Sequence, residues 1–584
     1  MTNPFALITR HKYLAVSSVV VVSGLAFGGW FLLRRPPRSP MEQYVPASAL
    51  GFVQVDSLGQ LVDGLTSTSA WRELAPLLGV SSQLRQVGQF TDLIGRLGLG
   101  PAEAVVVGRA QYAIAVTGLE TETGHSGEGP YLHLMPRLVL IAKTHTTPGI
   151  ARSLVLDRAQ ILAQRIYGQP VTPHSDQYYD TQIQVFDGPS PGHQFIAASA
   201  SDLVLIGNDE PSVKLCLDVI VGRSQSMASN STLAESRARV DNGASVFAFL
   251  TAAGAEKISG IVPALVAARF TSEPDQAAEI ADLFQHVCAQ AVSGVLYGAE
   301  LTSDGVTDRY FTALKPSLAS QLSDAMQAPA GGDFSQVNLV PPSAQGFTEI
   351  SVQGIGGLPE RALKNLGPQF DLVGSLALKE LAIGLRKLVG LEGSDSIESA
   401  VGNQLTFVKF NDDEPEAIII SVRDRSAVTP YLDRYLGHNG SSVTRETYNG
   451  TELEISSSPD GRAAAFIKSS LVIGTRSQIS GILNYQMSTP AGPSAAGLRF
   501  ESANPGRPVI ASSRISSQDA GQAMLAVSRI TRVTDGSPEI LEKDSIREAL
   551  QRLPRSISLT TFEENGVYTE TRSAAGNFAL LASL

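Results

Sequence analysis

The sequence predicts an α+β protein: an N-terminal transmembrane helix, then two tandem, diverged copies of an antiparallel-sheet-plus-helices unit. Three observations predict it. The run Tyr13–Leu33 carries no charged residue over 21 positions. Short alternating strands and helical stretches fill the rest of the chain, separated by Gly, Pro, Asp-Gly and Asn-Gly turns. A series of phrases in the first half returns, in the same order, in the second.

The apolar run comes first. About 20 residues are needed to cross the hydrocarbon core of a bilayer, and YLAVSSVVVVSGLAFGGWFLL supplies them, with Tyr13 and Trp30 near its ends where aromatic residues favour the interface. The small-residue stretch Gly24-Leu25-Ala26 lies inside the run, and no cysteine follows at a lipoprotein position. An uncleaved signal anchor is therefore expected rather than a removed signal peptide. Arg10 and Lys12 precede the run, and Arg34, Arg35 and Arg38 follow it, so the charge bias is nearly balanced and by itself slightly favours a cytoplasmic C-terminal region. The short N-terminal tail (1–12) and the acidic, lysine-poor bulk favour an extracytoplasmic, periplasmic C-terminal region. Residues 34–43 read as a Pro/Arg spacer, stiffened by Arg35-Pro-Pro-Arg-Ser-Pro40.

The first copy is assigned to 44–325, a linker to 326–335 around Ala328-Pro-Ala-Gly-Gly-Asp333, and the second copy to 336–584. Val45-Pro-Ala-Ser-Ala-Leu-Gly-Phe-Val-Gln-Val55 returns as Val340-Pro-Pro-Ser-Ala-Gln-Gly-Phe-Thr-Glu-Ile350, a proline turn leading into a strand. Leu138–Ile141 pairs with Ala417–Ile420, each followed by a helix, and Tyr179–Phe186 pairs with Tyr448–Ile455. Phe195-Ile-Ala-Ala pairs with Ala464-Ala-Phe-Ile, and Leu203–Gly207 with Leu471–Gly474. Val295–Gly305 pairs with Ser556–Gly566, hairpins turning at Asp-Gly and Asn-Gly. The separation narrows from Val45/Val340 to Gly305/Gly566, so the second copy has lost loop material, including any counterpart of Gly118–Pro130. Helices are expected over one face of each sheet.

Composition bounds the partners. Over 584 residues, 17% are charged and the net charge is −11, with a pI near 5.4. That excludes nucleic-acid binding through a broad basic face. Cys216 and Cys288 are the only cysteines; they read as free thiols in the core, with one disulfide as the alternative.

The turn Tyr44-Val-Pro-Ala-Ser-Ala-Leu-Gly-Phe52 and the helix Trp71-Arg-Glu-Leu-Ala-Pro-Leu-Leu78 resemble the bacterial domain-of-unknown-function 3352 family. The resemblance is a pattern of elements over most of the chain. It implies a bacterial cell-envelope location and carries no activity.

No catalytic, cofactor-binding or metal site is assigned, and no cofactor is implied. None of the eight histidines forms a metal spacing; His125, His133 and His145 share one stretch but read as solvated. Gly188-Pro-Ser-Pro-Gly192 fits the nucleophile-elbow pattern around Ser190, but prolines flank the serine and a strand follows, so a hairpin loop is expected. Gly354-Ile-Gly-Gly357 reads as a strand-to-helix turn rather than a dinucleotide loop. Asn411-Asp-Asp-Glu-Pro-Glu416 is the densest carboxylate cluster and lacks the spacing of a calcium loop. Asn230, Asn439 and Asn449 begin glycosylation-type triplets. The apolar helices Val262–Phe270 and Ala277–Ala291 read as core, with a groove for an acyl chain or partner helix as the alternative.

The expected function is a membrane-anchored, non-catalytic envelope protein that binds a protein partner or scaffolds a membrane complex. The alternatives are a carrier or sensor of a hydrophobic, lipid-like ligand, and then a hydrolytic enzyme. For the last, His145, His174 and Asp176, polar residues of one copy only, are the first candidates.

Overall fold

A computed structural model describes residues 38–76, 100–126, 129–189, 192–270, 285–330, 334–371, 379, 399–411, 413–437, 441–458, 461–488, 506–515 and 543–577. The anchor Tyr13–Leu33 lies outside them, as do Ser190, Asn439 and residues 277–284. Among the described residues no helix is long and apolar enough to cross a membrane.

The protein is α+β, built on a twenty-stranded antiparallel sheet. The strands of the first half are β1 (Gly51–Val55), β2 (Gln111–Ser126), β3 (Gly129–Lys143), β4 (His174–Tyr178), β5 (Thr181–Asp187), β6 (Gln194–Ala200), β7 (Leu203–Gly207), β8 (Val246–Thr251), β9 (Val292–Thr302) and β10 (Gly305–Leu314). Those of the second are β11 (Gly346–Ser351), β12 (Val401–Lys409), β13 (Ala417–Val422), β14 (Val443–Tyr448), β15 (Thr451–Ser456), β16 (Arg462–Ile467), β17 (Ser470–Thr475), β18 (Ile510–Arg514), β19 (Ser556–Glu563) and β20 (Gly566–Ser573).

In space the first half runs β4-β5-β6-β7-β3-β2-β1-β8-β9-β10. β10 then pairs with β20, and the second half continues β20-β19-β18-β11-β12-β13-β17-β16-β15-β14. Adding ten to each strand number of the first half gives the second half, read from its far edge inward. Registers agree as well as order. Tyr310 faces Tyr297 as Thr571 faces Ser558, and Tyr178 faces Thr181 as Tyr448 faces Thr451.

The ladders correct the sequence pairing by small steps. Leu140 faces Ile206 and Ile418 faces Ile473, which sets Val139, not Leu138, against Ala417. In the β4–β5 hairpin Tyr178, not Tyr179, corresponds to Tyr448, and on the next strand Ala197 rather than Phe195 takes the place of Ala464, since Ala198 faces Ile183 as Ala465 faces Leu453. A one-residue slip reverses which face a strand buries, and burial supports the corrected register: Val139 and Ala417 are both inside. The β2–β3 ladder has an irregular step after Val116 and the β12–β13 ladder one after Val401. The polar stretch Gly118–Pro130 is also not a loop. It extends β2 and β3 into a long two-stranded ribbon, paired from Gly118↔Arg137 to Ser126↔Gly129.

Helices cover both faces of the sheet, not one. Ile196, Ala197 and Ala198 are consecutive and all buried, which a strand achieves only with both faces covered. Ile196 and Ala198 pack with Phe52, Ile141 and the helix Glu210–Ile220 through Cys216 and Leu217. Ala197 packs on the opposite side with Ala151, Val155 and Ala159 of the helix Pro148–Tyr167. The second half repeats the arrangement. Ala463 and Ala465 pack with Ile479 and Ile482 of Arg476–Ser488, while Ala464 packs with Val428 and Leu432 of Arg425–Leu436. Side chains set the helix starts: Asp209 accepts from the Ser212 amide, and Asp424 from those of Ser426 and Ala427. The spacer's last residues join the fold, with Met41 fully buried in the first core.

Candidate functional site

Among the described residues, the strongest concentration of buried charge lies where β10 meets β20. The two strands pair from Val306↔Ser573 to Ala313↔Gly566. Alternation sends Asp308 to one face, among Tyr297, Ala299, Val306 and Tyr310, and Arg309 to the other, beside Phe311 and Tyr568. Glu570 sits directly opposite Arg309. Asp308 and Glu570 are both 0% exposed and Arg309 only 7%.

Charges that deep survive only if paired and hydrogen-bonded. The Tyr297 hydroxyl donates to Asp308 Oδ1 at 2.6 Å, and the Asn577 amide donates to Oδ2 at 2.9 Å. Burial, then the Asp308 charge, holds the Tyr297 phenol far above its ordinary range. On the other face Arg309 donates to Glu300 Oε2 at 2.6 Å and to the Asn242 carbonyl at 2.9 Å. Glu570 accepts from Arg572 at 3.1 Å and from the Tyr568 hydroxyl at 3.1 Å. Burial and then the Glu570 charge raise the Tyr568 phenol. Arg239 reaches across from the first half to pair with Glu563.

Helices bridge the same seam twice. Ala70 and Leu74 of the first half pack with Ala549, Leu553, Ala574 and Ala575 of the second, and Arg552 Nε meets Glu73 at 2.8 Å. Conversely Ala291 and Leu318 pack with Leu366, and His286 Nε2 lies 2.7 Å from Asp371 Oδ2. These groups lock two bodies in register. Sequence reasoning passed over Asp308, Arg309 and Glu570. Thr307-Asp-Arg-Tyr-Phe311 and Thr569-Glu-Thr-Arg572 each carry two charges of opposite sign, as a solvated edge strand would.

A second buried carboxylate stands alone. Glu349, on β11, accepts from the Val337 amide at 2.9 Å, but its Oε1 has no hydrogen-bond partner. Burial raises its pKa to about 8. Gln54 holds the matching place on β1, since Gln54 faces Ala113 as Glu349 faces Thr406.

The candidates from the sequence do not gather into one site. His145 follows β3, where its Nε2 meets Gln111 Oε1 at 3.1 Å; burial, then Lys143, lowers its pKa. His174 pairs with Asp187 at 3.5 Å. Asp176 accepts from Lys214 at 2.9 Å, which lowers its pKa. Gly354 makes the expected strand-to-helix turn at φ +60°, its amide held by Asn403 Oδ1. Asn411 closes the β12–β13 turn by accepting from the Asp413 and Glu414 amides. The Gly188 amide donates to the His193 carbonyl at 2.6 Å between β5 and β6. Among the described residues no group of His, Cys, Asp and Glu is placed to hold a metal ion. Cys216 and Cys288 are both free thiols, the first buried and the second half-buried.

The chain matches no protein-family model, no curated protein and no solved structure.

Proposed function

We propose that this is a membrane-anchored, non-catalytic envelope protein, tethered through Tyr13–Leu33 with its bulk in the periplasm, whose two halves are diverged tandem copies fused into an internal pseudo-dimer that scaffolds a protein partner. One observation carries this reading. A single strand connectivity occurs twice and meets itself at β10 and β20, where Arg309 faces Glu570. Homodimers commonly join through one patch used by both subunits. Here both patches lie on one chain, so the pair cannot separate. The fused sheet spans roughly 90 Å at about 4.8 Å per strand, a broad platform for its mass. Its deepest charges pair across or beside the seam instead of converging on a cleft. The resemblance carried by Tyr44–Phe52 points to the same compartment.

Native mass spectrometry of the full-length protein, extracted gently from its own membrane, tests the proposal. A co-purifying protein in fixed ratio is the expected result. A bound small apolar molecule, released on denaturation, would replace the scaffold with a lipid carrier. A bare monomer that turns over ester or peptide substrates would replace it with a hydrolase.

A further inference from the structure

We infer that the sheet stands on the membrane, with the strand ends around Asp56, Gln111 and His145 toward the bilayer and the β2–β3 ribbon as its membrane-distal arm. This rests on the anchor reading of Tyr13–Leu33. The clamp on the chain just after the anchor carries it. Ser39 donates its amide to Gln111 Oε1 at 2.9 Å, and its carbonyl accepts from Gln111 Nε2 at 3.2 Å, so one side chain bonds both sides of the residue. Gln111 is buried and also reaches Asp56, whose other oxygen meets Arg38 Nε at 2.8 Å. Met41 and Val45, immediately beyond, are fully buried. The chain is thus fixed from residue 38 onward at one end of β1, β2 and β3.

Ser335 bonds Gln404 at the matching place in the second half, so the clamp itself belongs to the fold. What bears on the membrane is where it puts Arg38. Four residues lie between Leu33 and Arg38, and the five steps from one to the other span at most about 18 Å. The strand ends near Gln111 therefore stay close to the bilayer surface. From Gln111, β2 runs sixteen residues to Ser126, about 50 Å at 3.3 Å per residue. Its outer part, from Gly118, has left the sheet and pairs only with β3.

The second half supplies an independent asymmetry. The ladders lead from Val55 through Val246, Ala299 and Asp308, and on to Phe407. Hence the β12–β13 turn lies at the clamped end, where β2–β3 would point if the halves were interchanged. That turn is short and acidic, Asn411–Glu416, while the hairpin at the far end extends as a ribbon. Among the described residues, the long hairpin extends from the end opposite the clamp.

Energy transfer to a lipid-borne acceptor reads the difference. Full-length protein is reconstituted in liposomes with a donor on Ser303→Cys, in the β9–β10 turn at the clamped end, or on Ser126→Cys, at the ribbon tip. The background is Cys288→Ser, and Cys216 is buried beyond a label's reach. Transfer several-fold stronger from position 303 than from 126 is expected. Equal transfer, from a sheet lying flat, or stronger transfer from 126 overturns the inference while leaving the anchor intact. Failure to float with the liposomes overturns the anchor reading, and the inference with it.

Discussion

Arg309 and Glu570 face each other across the β10–β20 ladder, and the separation that carries Gly305 to Gly566 carries Arg309 to Glu570. Each is therefore the other's counterpart. In a symmetric dimer the residue on the twofold axis meets its own copy, and two arginines or two glutamates there would repel. On one chain the position can hold opposite charges. Antiparallel ladders specify register weakly where the strands are polar, and β20 here is Gly566-Val-Tyr-Thr-Glu-Thr-Arg-Ser573. The buried ions supply what the apolar pattern lacks.

Arg309→Met should destabilise the fold by about 3 kcal/mol, because it strands Glu300 and removes the cation facing the fully buried Glu570. Glu300→Gln should cost less, since that carboxylate is a third exposed. Urea unfolding followed by tyrosine fluorescence and circular dichroism checks both. In the arginine variant the single transition should broaden or split as the halves uncouple. An unchanged, sharp transition would show that the seam charges do not couple the halves.

At the β4–β5 tip, Tyr179 adopts φ +53°, and Asn449 holds the matching place at φ +50°. Asn tolerates that region, whereas an aromatic residue there is strained by roughly 1–2 kcal/mol. The Arg223 guanidinium stacks 3.5 Å from the Tyr179 ring, an exposed contact that offsets roughly 0.5–1 kcal/mol. Tyr179→Asn should therefore leave the thermal midpoint equal or slightly raised, while Arg223→Ala lowers it. A clear loss of stability in Tyr179→Asn would mean that the stack outweighs the backbone strain.

The sequence discloses what is local. The hairpins at Asp304-Gly305 and Asn565-Gly566 form with those turns, and the proline turns before Gly51 and Gly346 lead into strands as the alternation implies. The β10–β20 junction leaves no such trace. Its partners lie more than 250 residues apart, and a ladder between remote strands has no period of its own. The covering of both faces is legible only in retrospect: Phe195-Ile-Ala-Ala198 and Ala463-Ala-Ala465 are unbroken small or apolar runs where a one-faced strand would alternate. Glu349 is hidden for a different reason, because a carboxylate within Gly346-Phe-Thr-Glu-Ile-Ser351 reads as the exposed member of an alternating strand.

Cys216 lies in the first core, where burial pushes its thiol up to about 12. Cys288 is half-buried; burial raises its thiol, against a lowering hydrogen bond with Ser259. Since the thiolate is the reactive form, native protein should label slowly at Cys288 and not at Cys216, with both sites reacting after denaturation. Ellman titration with and without denaturant measures this. Two unreactive sites that respond only to reductant would establish a disulfide instead.

Glu349 makes stability depend on pH in a defined direction. Its folded pKa is raised from 4.5 to about 8, so the folded state holds the proton more tightly than the unfolded chain. The stabilisation is fully present below about pH 4.5 and is lost as pH rises through about 8. The displacement corresponds to roughly 5 kcal/mol over the whole window. Glu349→Gln should remove this slope and raise stability at pH 8, because an amide cannot ionise. Gln54 already occupies the matching place on β1 with its side chain buried, so the substitution has an internal precedent. Denaturation midpoints measured from pH 5 to 9 decide it. Wild-type stability should fall toward pH 9 while the variant stays level over the same range. Parallel curves would mean that Glu349 is ionised in the folded protein with a partner for its second oxygen.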